Sequence, residues 1–306
     1  MPERKRSLTQ NGGFGRVLTA MVTPFDSNGA VDIEAARTLA RHLIDHGSDG
    51  LVVVGTTGES PTLKDSEKRA LIEAVAEVCS GRASVVAGSS TYDTEHSVSL
   101  SRDAAASGAD ALMAVTPYYS RPSQAGIASH FKAIAESTDL PVILYNIPGR
   151  TGTLIEVETV IELSTHPNIV GIKDATGNLA MTSRVVAETP EDFSVYSGDD
   201  VLTLPMLAVG GVGVISVASH VAGTLISEMI EAFTAGNVGE ARATHLRLLK
   251  LFSLLFAEPN PGPVKAACEI MGFTVGPPRL PMQAASEDLA VKLRDELARL
   301  DLISEP

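Results

Sequence analysis

The stretch "IVGIKDATG", residues 169–177, places a lysine inside a short run of isoleucine and valine. A run this short, β-branched and closed by Asp, Thr and Gly reads as a strand covered on both faces; a half-exposed strand would alternate apolar with polar. Strands of that kind belong to parallel sheets with helices packed over them, so this reading decides the fold class. It also raises a chemical question, because burying Lys173 strips its ammonium of hydration. Period-two alternation puts Ile169, Gly171 and Lys173 on one face, with Gly171 leaving space there. Either the lysine head reaches solvent, or the position is kept for chemistry, since buried lysines readily lose their charge and serve as Schiff-base formers.

Seven further runs have the same character: 17–25, 50–57, 83–90, 111–119, 141–148, 193–200 and 211–217. Between them lie amphipathic segments such as "DIEAARTLARHLIDHG" (32–47) and "DSEKRALIEAVAEVCSG" (65–81), the second with Asp65 or Ser66 as its expected cap and Gly81 past its end. Gly-then-strand junctions ("GSDGL", "GADAL") read as helix C-caps feeding the next strand. Eight βα units over about 220 residues have the size of a closed α/β barrel, the (β/α)8 or TIM barrel. Alternation alone does not show closure, so a doubly wound open sheet is the alternative. After Gly236 the strands stop, which divides the chain into a barrel with a short N-terminal tail (1–236) and a helical C-terminal extension (237–306).

Composition narrows the function. With a net charge of -13, the chain lacks the clustered basic surface of a nucleic-acid binder. Cys79 and Cys268 are far apart in helical stretches, too few for a disulfide framework, so a reducing compartment is expected. The N-terminus "MPERKRSLTQNGGFG" lacks the apolar core of a signal peptide, and "LLKLFSLLFA" is too short to span a bilayer. A cytoplasmic protein with no membrane partner is the natural reading. His42 and His46 are four apart on a helix, on the face expected in solvent, and read as surface rather than as a metal pair. "GGVGVIS" has its glycines before and within a strand, not between strand and helix, so no dinucleotide site is read there. No cofactor or metal is called for.

In a barrel of this kind, catalytic groups sit at the C-terminal strand ends. Those ends carry Thr56 and Thr57, Tyr118 and Tyr119, Tyr145 followed by Arg150, Lys173, Gly198 with Asp199 and Asp200, and Ile215 with Ser216. A tyrosine at a strand end is commonly a half-buried amphipathic side chain and nothing more. Lys173 is different, because a lysine pointing into a lumen cannot reach bulk water sideways. Lowering its pKa by three units means disfavouring the cation by about 4 kcal/mol, within reach of desolvation. The neutral amine can then attack a keto group, with a tyrosine hydroxyl shuttling the proton.

"GTTGES" (55–60), "TPYY" (116–119), "YNIPGRTG" (145–152), "GIKDATG" (171–177), "SGDD" (197–200) and "GVISV" (213–217), in this order and spacing, resemble the dihydrodipicolinate synthase family, a branch of the pyruvate-dependent class I aldolases. The resemblance runs from about Gly15 to Pro281 and includes "NPGPVKAACEIMG". It implies a Schiff base between pyruvate and Lys173, with Tyr145 as main proton shuttle in a relay with Thr56 and Tyr119. It implies that Thr57 and the Gly198–Ile215 region hold the pyruvate carboxylate, and that Arg150 positions the carboxylate of aspartate-4-semialdehyde. The implied assembly is a homotetramer, a dimer of dimers in which Tyr119 completes a neighbour's site. Sialic acid lyases share the lysine and tyrosine but typically lack the arginine of "NIPGRTG", which favours the synthase over a sugar-acid aldolase. A catalytically silent barrel used for binding is the other alternative, disfavoured by the full constellation. Lysine-sensitive members carry two histidines, an asparagine and a glutamate where this chain has Asp65, Lys68, Tyr92 and His96, so weak or absent feedback inhibition is expected.

Overall fold

The eight apolar runs become eight parallel strands, and the last pairs with the first. In this computed structural model, which describes residues 13–304, the strands are β1 (Val17–Ala20), β2 (Gly50–Val53), β3 (Ser84–Gly88) and β4 (Ala111–Val115). They continue with β5 (Val142–Asn146), β6 (Ile169–Asp174), β7 (Ser194–Ser197) and β8 (Gly213–Ser216). Pairing runs in chain order, and β1 beside β8 closes the barrel, which removes the open-sheet alternative. The signal-peptide reading concerned residues that lie largely outside those described. Each strand is shorter than its apolar run, because the last residues of the run curl into the loops above the barrel. In the β2 run the sheet ends where Val54 takes φ 51°, a left-handed conformation unusual for a β-branched residue.

Helices α1 (Ile33–Asp45), α2 (Asp65–Cys79), α3 (Thr94–Ala106) and α4 (Gln124–Ala135) cover the first half of the barrel. The short α5 (Pro148–Thr151) follows β5, then α6 (Val157–Ser164), α7 (Leu179–Glu188), α8 (Thr203–Ala208) and α9 (Ser219–Thr234). In α1, Asp32 caps the first turn by accepting from the Ala35 N–H at 2.9 Å, and Ala36, Leu39, Ala40 and Leu43 form the buried stripe. The cap of α2 is not Asp65 or Ser66, as the sequence led us to expect. Lys64 occupies the cap position, its N–H donating to the Glu67 carboxylate at 2.8 Å, and Arg279 holds that carboxylate from the other side at 2.7 Å. The C-terminal glycines behave as expected: Gly47, Gly81 and Gly108 all take positive φ.

Two apolar layers result. Leu18, Val52, Val86, Met113, Ile143 and Tyr196 fill the lumen, while the larger cluster lies between sheet and helices. The strand that opened the sequence reading departs from simple alternation. Val142 pairs with Ile169 but the next residue, Ile143, pairs with Gly171, so Val170 is an extra residue in β6. Ile169 therefore packs in the outer layer, while Val170 packs against the lumen cluster and Gly171 and Lys173 pair inward with β5. Nor does Gly171 leave open space: a Cβ there would meet the Ser194 carbonyl oxygen at 2.5 Å, so the glycine permits close approach of β6 and β7.

Helices α10 (Val238–Leu255), α11 (Gly262–Ile270) and α12 (Glu287–Arg299) follow. Their apolar faces bury Leu248, Leu251, Val264 and Leu293. The stretches between them return to the barrel. Lys265 forms a buried ion pair with Glu59 at 2.8 Å, and Arg279 forks onto Glu67. Both cations lie over the Phe25 ring, at 4.2 and 4.4 Å from its centroid. Removing one partner of such a buried pair costs about 3–5 kcal/mol, because the other charge is left uncompensated. His42 also meets this extension. It is half-buried against Phe273, with ring centroids 4.4 Å apart, and burial pushes its pKa down to about 4. The expectation that both histidines sit in solvent holds for His46 and fails for His42. Among the described residues no cluster suits a metal ion, and no helix is long and apolar enough to cross a membrane.

Candidate active site

Strand register sets the centre of the site. Tyr145 on β5 and Lys173 on β6 are direct partners across the sheet, so both side chains point inward at the same level of the barrel. The Lys173 ammonium lies 4.3 Å from the centre of the Tyr145 ring, and both residues are buried. Burial pushes the Lys173 pKa from 10.5 down to about 8; Asp200 pulls it back up and Arg150 pushes it further down. Tyr145 moves the other way, raised by burial to about 12, with Arg150 and the Thr56 hydroxyl acting to lower it. At neutral pH the site thus holds a phenol in its protonated form and an amine with a substantial neutral fraction.

Thr56, Tyr145 and Arg150 line a cavity of about 740 Å³ above the barrel. Arg150 is exposed, in the last turn of α5, where the Pro148 start and the left-handed Gly152 confine the helix to one turn. Gly198 abuts the lysine stem: a Cβ there would meet Lys173 Cγ at 3.1 Å and Ala175 Cβ at 2.8 Å. Ile215 is buried in the lumen, in the same apolar cluster as Tyr145. Thr57 is buried, does not line the cavity, and accepts a hydrogen bond from the Asn260 side chain at 2.9 Å. Tyr119 stands apart from the group. It is 92% exposed, with φ 71°, while the neighbouring Tyr118 faces the cavity and packs edge-on against Tyr92.

Sequence reasoning did not single out Asp200. Its buried carboxylate accepts from the Ser216 hydroxyl and from the Val217 and Ala218 N–H groups at 3.1 and 3.0 Å. Those donors tie the turn after β7 to the start of α9. Burial pushes the Asp200 pKa up while these three donors favour its carboxylate form, and in that form it opposes the desolvation of Lys173. The signal was present in "SGDD", whose acids the sequence placed at a strand end without a role.

The same cavity extends to Asp65, Lys68, Tyr92 and His96. Asp65 bridges Lys68 at 3.2 Å and His96 at 3.0 Å. Although burial works against it, these two partners hold its pKa below the usual carboxylate range.

Residues 13–300 match the dihydrodipicolinate synthetase family. The 4-hydroxy-tetrahydrodipicolinate synthase of Moorella thermoacetica is 51% identical over 95% of this chain and 99% of its own length. Among solved structures, a dihydrodipicolinate synthase from Bacillus anthracis superposes with a TM-score of 0.91 at 48% identity, covering 96% of this chain and 99% of its own. A lysine-bound enzyme of the same name from Cyanidioschyzon merolae gives 0.93 at 46%, covering 95% and 99%. The fold, the order of the strand-end residues and these near-full-length similarities agree that the chain belongs to the dihydrodipicolinate synthase family.

Proposed function

We propose that the chain condenses pyruvate with aspartate-4-semialdehyde to 4-hydroxy-tetrahydrodipicolinate, in lysine and diaminopimelate biosynthesis, through a Schiff base on Lys173. The observation that carries this reading is the buried Lys173 amine, depressed to about 8, against the ring of Tyr145. The neutral amine attacks the pyruvate keto carbon to give a carbinolamine, which loses water to form an iminium. Tyr145, in contact with Thr56, carries the protons that these steps move. Loss of a C3 proton gives the enamine, which attacks the semialdehyde's aldehyde carbon. The substrate's own amine then displaces Lys173 as the ring closes. Thr57, Gly198 and Ile215 hold the pyruvate end, and Arg150, at the open end of the cavity, takes the semialdehyde carboxylate in its guanidinium fork. The test is turnover of pyruvate with aspartate-4-semialdehyde, coupled to a reductase acting on the product. Turnover confined to a sugar-acid aldol would overturn the reading in favour of a related aldolase, and no turnover with either would leave a binding barrel.

The lysine pKa fixes a pH profile. With a folded pKa of about 8, roughly a fifth of Lys173 is neutral at pH 7.4, against about one part in a thousand for a free lysine. Initial imine formation with pyruvate rises as pH climbs from 6.5 through 8 and levels off above it. A flat profile across that range would contradict the assignment.

The exposed, left-handed Tyr119 outside its own chain's cavity supports the homotetramer, in which the tight dimer lends this residue to the neighbouring site. Light scattering at assay concentration should show tetramer, and an active monomer would contradict it. The cytoplasm is the proposed location, supported by two buried, unpaired cysteines, Cys79 and Cys268.

Feedback by lysine should be weak or absent. A bound lysine needs acceptors for two ammonium groups and donors for a carboxylate. Asp65, the one new acceptor, is already occupied by Lys68 and His96, and Lys68 adds a like charge. Initial velocity against added lysine at sub-saturating pyruvate should stay nearly level. Half-inhibition below about 1 mM, or about -4 kcal/mol of binding, would show that the cleft still recognises lysine.

A further inference from the structure

The C-terminal extension reaches Thr57 through Asn260, whose amide donates to Thr57 Oγ1 at 2.9 Å across 203 positions of sequence. Both residues are buried, at 5% and 4% exposure, and the Asn260 Oδ1 atom has no hydrogen-bond partner. A hydroxyl has one proton to give and two lone pairs to offer. Once a lone pair of Thr57 is taken by an N–H donor, the proton is turned away from Asn260 and is free for an anion on the other side. The backbone around Thr57 is held just as firmly. Val54 and Glu59 both take left-handed φ, 51° and 60°, and strain of this kind persists only where the surroundings over-determine it. Glu59 is fixed by Lys265 at 2.8 Å and by the Arg279 N–H at 2.8 Å, both from the extension.

We propose that Asn260 is a positioning residue for pyruvate. Its amide sets the polarity of the Thr57 hydroxyl so that the hydroxyl donates to the substrate carboxylate. The proposal rests on the assignment of Thr57 and Lys173 above. The extension is therefore part of the binding machinery for the first substrate. Asn260 acts through Thr57 and does not touch the reacting atoms.

Borohydride trapping across a pyruvate titration provides the test, alongside kcat and the pyruvate KM. Asn260→Ala should raise half-saturating pyruvate about tenfold, the scale of one hydrogen bond to a charged group, and leave kcat nearly unchanged. Asn260→Asp should be worse, about a hundredfold, because a carboxylate accepts the Thr57 proton and turns the hydroxyl's lone pairs, with an added negative charge, towards pyruvate. A merely structural role predicts the reverse order, since aspartate matches the shape of asparagine and alanine leaves a hole. In a Thr57→Val background Asn260→Ala should change nothing further. Aspartate milder than alanine, losses that multiply in that background, or a fall in kcat with KM unmoved would each overturn the role. Should the alanine variant fail to fold, Asn260→Asp against wild type carries the decision, with pyruvate KM unchanged as the overturning result. No pyruvate adduct on Lys173 in the wild type would sink the Schiff-base reading itself; a normal wild-type adduct with unaltered variants overturns Asn260 alone.

Discussion

Replacing Lys173 with alanine or with arginine should each lower turnover by roughly 10⁴-fold or more and abolish borohydride-trapped pyruvate, because both remove the nucleophile that forms the covalent intermediate. The arginine variant is the sharper of the two. It keeps a cation of similar reach beside Asp200 but cannot release a proton at any working pH. Arginine activity near wild type would mean that the charge matters and the amine does not. Peptide mass spectrometry of the trapped wild-type enzyme should place the adduct on Lys173, and an adduct on any of the other seven lysines would sink the assignment. Keeping this lysine has a stability cost. Its folded pKa of about 8 lies below the unfolded 10.5, so the folded chain is penalised below pH 8 by about 3 kcal/mol, and the penalty fades as pH rises from 8 to 10.5.

The second large effect separates proton transfer from substrate placement. Tyr145→Phe keeps the ring against Lys173 but removes the hydroxyl, and kcat should fall by roughly a hundredfold or more. Burial holds the Tyr145 pKa at about 12, so the protonated phenol is the working form across the neutral range and the loss should vary little with pH there. Arg150→Ala should instead weaken the semialdehyde KM while imine formation with pyruvate alone survives. Arg150 is exposed in α5, outside the buried lysine–tyrosine pair, so its removal costs Lys173 one charge that lowers its pKa but leaves the nucleophile and the proton shuttle of the first half-reaction in place. If both variants lost imine formation equally, the separate roles would be wrong.

What the sequence told and withheld follows from the range of the interactions. All eight strands were legible because each is a local run of apolar, β-branched residues, and Lys173 stood out as a lysine set inside such a run on the face expected to point inward. The bulge at Val170 was not legible, since it is defined by which residues of β5 pair with β6 and leaves no mark in "IVGIK" itself. The cap of α2 moved to Lys64 because Arg279 orients Glu67 from 212 positions away. Asn260 escaped notice for the same reason: an asparagine between two prolines reads as a turn residue until the fold sets it beside Thr57. His42 was misplaced because the periodicity of α1 cannot report Phe273 arriving from the extension.

A neutral amine held in a barrel is also a chemical liability. Electrophiles that discriminate among lysines do so by the fraction that is uncharged, and on the exposed surface that fraction is about one part in a thousand. Lys265, also buried, is tied to Glu59. Lys173 has no such anion in hydrogen-bond contact and a pKa of about 8, so small aldehydes and activated esters that fit beneath Arg150 will acylate or condense with it long before the exposed lysines react. The feature that makes the lysine useful to pyruvate therefore makes it the natural anchor for a covalent inhibitor, one whose selectivity would come from the shape of the entrance rather than from the reactivity of its warhead.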